Sequence, residues 1–95
     1  MDKAVGRNMR IAALDDDALQ LDLFKQALHA MGHICHTYLT GAQLLHSLQS
    51  ERFDLLIVDW HLPDTTGPEV VRWVRQHVGL EMPILFAPHR QEERD

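Results

Sequence analysis

Two short apolar runs in this chain end abruptly in carboxylates, and that pattern constrains the fold more than any other feature. Arg10-Ile11-Ala12-Ala13-Leu14 stops at Asp15-Asp16-Asp17, and Phe53-Asp54-Leu55-Leu56-Ile57-Val58 stops at Asp59. Bounded runs of this length read as buried strands. The second, spanning residues 52–59, is apolar nearly throughout, as a central parallel strand covered on both faces should be. Between them, Leu21, Phe24, Leu28 and Met31 recur at helical spacing over residues 18–31, and Gly32 supplies a stop. Residues 33–38 form a weaker strand candidate, and residues 41–48 a helix with Leu44, Leu45 and Leu48 facing inward. After Asp59, residues 61–67 are rich in turn formers. Pro68 then suits the first turn of a third helix striped by Val70, Val71 and Val74, with Trp73 beside the stripe. Residues 83–87 make a last short strand. Strand and helix alternate throughout, which predicts an α/β architecture with a parallel sheet and right-handed crossovers.

Composition narrows the function classes. Ninety-five residues make one domain at most. Fourteen Asp and Glu against nine Lys and Arg give a net charge of −5, so this segment lacks the basic footprint of direct nucleic-acid binding. No apolar run approaches the ~18 residues of a membrane span, and no signal peptide opens the chain. Cys35 is the single cysteine and has no internal disulfide partner, which fits a cytoplasmic location.

The carboxylates carry the chemistry. In an open α/β sheet, ligands sit beyond the carboxyl ends of the strands, where the strand order reverses. If the first and third strands are neighbours, Asp15, Asp16 and Asp59 converge in one shallow site. Like charges so close repel one another, and a divalent cation offsets that repulsion. Hard oxygen donors of this kind suit Mg²⁺. An acid after a strand also suits a helix N-cap, and Asp17 is read that way; capping does not account for the pairing of Asp15 and Asp16 with Asp59.

These residues resemble the receiver domain of two-component response regulators (the CheY-like family). Residues 11–17 supply the acid pair after the first strand. Residues 53–67 supply an acceptor Asp at the end of the third, with Leu62, Pro63 and Gly67 three, four and eight positions after Asp59. The resemblance covers nearly the whole chain, with residues 1–8 a polar lead-in and residues 9–95 the domain. It implies a flavodoxin-like sheet of order 2-1-3-4, the fifth strand and last helix of the family missing from this chain. It further implies that Asp59 takes a phosphoryl group from a sensor histidine kinase, forming an aspartyl phosphate. Asp16, Asp59 and the backbone carbonyl of His61 would ligate Mg²⁺, and Asp15 would hold it through water. Such a domain phosphorylates itself and signals to an output module rather than turning over a substrate.

The pattern also departs from the family. Pro88 stands at the fourth-strand position where receivers carry Thr or Ser, no hydroxyl residue follows Thr66, and the fifth-strand Lys is absent. Proline offers no donor to a phosphoryl oxygen. The fourth strand is expected to be an open edge, and self-association through it follows. Two rival functions stand beside the phosphoacceptor. One is a degenerate receiver acting as a protein-interaction module without phosphate. A more distant one is an Asp-x-Asp phosphohydrolase built on Asp15 and Asp17, but that family wants Thr or Val where Leu19 stands. His33, Cys35 and His36 lack a second cluster at ligand spacing, so zinc is not expected. Trp60 and His61 are read as the rim of the acceptor site, Trp73 and Met82 as packing residues, and Asp54 and Asp64 as solvated charges.

Overall fold

The computed structural model describes residues 8–87. Through them run β1 (Arg10–Leu14), α1 (Ala18–Ala30), β2 (Ile34–Tyr38), α2 (Gly41–Leu48), β3 (Leu55–Val58), α3 (Gly67–His77) and β4 (Ile84–Phe86). All strand pairs are parallel and the order is β2-β1-β3-β4, the α/β, 2-1-3-4 arrangement expected. Among the described residues, no helix is long and apolar enough to cross a membrane.

Local chemistry explains most boundaries. Asp17, Thr40 and Thr66 cap the three helices, each accepting from amides of its first turn. Helix α1 stops at Ala30 because Gly32 takes a φ of +93°, a conformation that side chains disfavour. Met31, expected on the inward stripe, is instead the C-cap and stands 67% exposed. The third strand is shorter than expected: Arg52, Phe53 and Asp54 lead into β3 without belonging to it, although Phe53 is buried.

Strand alternation divides the core. Ala12 and Leu14 point to one face, where Leu44, Phe53, Leu56, Val58, Val70 and Val74 join them beneath α2 and α3. Ala13 points to the other face and packs with Leu21 and Cys35, flanked by Phe24, Leu28 and Ile57, beneath α1. Side chains buried as fully as Leu44, Leu56 and Val74 contribute about 1.5–3 kcal/mol each. Leu85 sits beside Ile57 in register yet stands 55% exposed, because α1 packs on β1 and β2 rather than on β4. The consequence for function lies at the carboxyl end of the sheet, where β1 and β3 stop side by side.

Candidate functional site

Register makes the site. Leu14 pairs with Val58, so the next residue of each strand, Asp15 and Asp59, emerges at the same level. Backbone bonds hold both: the Asp59 amide donates to the Leu14 carbonyl at 2.9 Å, and the Asp15 amide to the Tyr38 carbonyl at 3.1 Å. Both side chains are buried, at 5% and 4% exposure, whereas Asp16 is exposed. The three carboxylates place ligand atoms within 4.8 Å of one another. The sequence thus brought the expected carboxylates together, and the separate assignment of Asp17 to the α1 cap also holds. Its Oδ1 accepts from the amides of Leu19 and Gln20 at 3.0 and 3.3 Å.

Electrostatics asks for a cation here. Burial pushes the Asp15 carboxyl up to about 6, and repulsion from Asp59 and Asp16 adds to the shift. The Asp17 amide opposes it by donating to Asp15 Oδ1 at 3.0 Å. Two buried carboxylates and one open to solvent form an all-oxygen donor set that fits Mg²⁺, leaving coordination positions for water and a phosphoryl oxygen.

The loop after Asp59 folds back on the site. The Trp60 amide donates to Asp59 Oδ1 at 2.8 Å, and the Gly67 amide to the Trp60 carbonyl at 2.8 Å. His61 bridges Thr66, and the Leu62 amide reaches the Thr65 carbonyl at 3.3 Å. This closure explains the glycine eight positions after the acid. A Cβ on Gly67 would stand 2.6 Å from the Asp59 carbonyl oxygen and 2.8 Å from the Phe86 ring. At the rim, Trp60 packs on Phe86 with ring centroids 4.8 Å apart, and the His61 side chain is exposed, as expected.

Two acids read as solvated charges are tied to backbone instead. Asp54 Oδ2 accepts from the Arg10 amide at 2.8 Å, at the opposite end of the sheet. Asp64 spans from the loop to α2, accepting from the Gly41 and Ala42 amides at 2.9 and 3.0 Å. Those bonds hold its carboxyl below the usual range. One signal for Asp64 was present in the sequence: α2 has no acid in its first turn, so its leading amides need an acceptor from elsewhere. The substitution of Pro88 for a hydroxyl residue lies outside the described residues.

Comparison with known proteins agrees with this geometry. A family model described as "Response regulator receiver domain" matches residues 11–95. The phosphate regulon transcriptional regulatory protein PhoB of Rhizobium meliloti is 36% identical over 87 residues, covering 90% of this chain but only 38% of the relative. The chemotaxis response regulator CheY4 of Vibrio cholerae superposes with a TM-score of 0.80 at 26% identity, over 92% of this chain and 76% of its own. The response regulator TrrA of Thermotoga maritima, in complex with Mg²⁺ and BeF, does so with a TM-score of 0.70 at 30% identity, over 73% of this chain and 60% of its own. From strand order to carboxylate cluster, and now in sequence, this chain belongs to the response regulator receiver domain family.

Proposed function

We propose that this chain is the receiver of a two-component phosphorelay, with Asp59 as the residue that accepts the phosphoryl group. One observation carries the reading. Asp59 is 4% exposed at the end of a central strand, with ligand atoms of Asp15 and Asp16 within 4.8 Å of its own. A carboxylate oxygen of Asp59 forms the new O–P bond as the P–N bond to a kinase phosphohistidine breaks, and the imidazole leaves with the electron pair. Asp16, Asp59 and the His61 carbonyl would hold Mg²⁺ directly, and Asp15 through water. When bound, the cation neutralises charge on the phosphoryl oxygens. The Trp60 amide orients the Asp59 carboxylate, and the Asp17 amide fixes Asp15. Positioning of this kind supplies most of the catalysis in phosphoryl transfer.

The partner is a sensor histidine kinase, and the domain occupies residues 9–95. The surroundings are cytoplasmic, and the net charge of −5 argues against this segment touching nucleic acid. Self-association of the 95-residue chain through β4 is supported by Leu85 and Phe86, 55% and 43% exposed on a strand paired on one side among the described residues. Light scattering tests it: Leu85→Lys should return a concentration-dependent oligomer to monomer. A second reading, an interaction module that never carries phosphate, is favoured by Pro88 at the family's hydroxyl position. Fluorine NMR of the chain with beryllofluoride and Mg²⁺ separates the two. A bound fluoride signal that Asp59→Asn abolishes supports the acceptor, whereas Mg²⁺ binding without that signal supports the second reading.

A further inference from the structure

Asp64 does more than cap a helix. Thr40 already serves as the N-cap of α2, its Oγ1 accepting from the Gln43 amide at 3.2 Å. Asp64 takes the two preceding amides, Gly41 and Ala42, from 23 and 22 residues away in sequence. The loop that carries it is seated hard against the helix start, since a Cβ on Gly41 would lie 2.6 Å from Thr65 Cγ2 and 3.4 Å from Asp64 Oδ1. The other end of the same loop closes on the acceptor through the bond from the Gly67 amide to the Trp60 carbonyl. The segment between Trp60 and Thr66 is therefore tied beside Asp59 at one end, where the Trp60 amide also donates to Asp59 Oδ1, and to the start of α2 through Asp64.

We propose that Asp64 is a positioning residue for the cation site: by fastening the loop to the start of α2, it holds the backbone beside Asp59 in the arrangement that Mg²⁺ binding requires. The inference rests on reading Asp15, Asp16 and Asp59 as that site. It acts through the loop backbone, so its loss should weaken the cation without removing a ligand. Outer-shell partners of metal sites typically contribute about 10–100-fold in affinity, and a contact acting through backbone belongs near the lower end, about tenfold.

Calorimetric titration of the 95-residue chain with Mg²⁺ alone provides the test, with thermal unfolding alongside. Asp64→Ala should bind Mg²⁺ about tenfold more weakly. Asp64→Asn keeps one acceptor oxygen and should fall between Asp64→Ala and wild type, as a gentler change should if Asp64→Ala folds poorly. Thr40→Ala uncaps the same helix without touching the loop, so it should lose stability while keeping wild-type affinity. Asp64 variants that bind Mg²⁺ as tightly as wild type overturn the positioning role alone. So does a Thr40→Ala variant that weakens binding as much as Asp64→Ala, because helix capping would then account for the effect. A wild-type chain that takes up no Mg²⁺ overturns the site reading and the positioning role together.

Discussion

Replacing Asp15 with Asn removes a charge whose burial destabilises the metal-free fold. Asp15 is 5% exposed, and burial raises its carboxyl from the ordinary 3.8 to about 6. Between those values the folded state holds a proton that the unfolded chain has released. Stability therefore falls as pH rises through this window, the opposite of the usual behaviour of a salt-bridged carboxylate. A gap of about two pKa units corresponds to about 3 kcal/mol, present in full once the pH exceeds the folded-state value. The replacement keeps a side-chain oxygen to accept the Asp17 amide, now 3.0 Å from Asp15 Oδ1, so little else changes. Urea unfolding with a chelator present, from about pH 4 to about pH 8, measures the effect. Wild type and Asp15→Asn should coincide near the acid end, and the variant should be more stable by about 3 kcal/mol at the alkaline end. Saturating Mg²⁺ should close part of that gap, because binding stabilises wild type more than a variant that has lost one of the three carboxylates. Parallel pH profiles for the two proteins would refute the claim that burial of the Asp15 carboxylate costs stability when no cation is supplied.

Other perturbations separate the site from its scaffold. Asp17→Ala removes the acceptor of the Leu19 and Gln20 amides and should cost about 1 kcal/mol, with Mg²⁺ affinity unchanged, since the Asp17 backbone amide still reaches Asp15. Unfolding and calorimetry on one sample check both halves. Gly67→Ala sets a methyl 2.6 Å from the Asp59 carbonyl oxygen, where backbone cannot yield cheaply. It should cost about 1–3 kcal/mol and also weaken Mg²⁺, because the loop must lift from the acceptor.

The sequence made the scaffold legible because its strongest signals were local. Residues 41–48 carry a Leu stripe on one element, and α2 has those bounds. Leu14 and Val58 end apolar runs just before acids, so neighbouring strands were enough to build the Asp15–Asp59 pair. Met31 was misplaced because periodicity alone does not say that Gly32 turns the chain one residue after the stripe has ended. Asp64 was missed for a different reason. Its partners lie 22 and 23 residues upstream, and only the tertiary approach of the loop to α2 gives it a role. The Gly67 offset was legible as a motif, but its cause became visible only when the Asp59 carbonyl and Phe86 ring were found to occupy the space of a side chain.

The central claim is that Asp59 accepts a phosphoryl group in a site that a cation completes. Intact-mass and peptide mass spectrometry after incubation with acetyl phosphate, with and without Mg²⁺, tests it most directly. The account predicts the mass of one phosphoryl group added on the peptide containing Asp59, only with Mg²⁺ present, and lost in Asp59→Asn. A wild-type chain that gains no phosphoryl group, or an adduct that persists in Asp59→Asn, would contradict it.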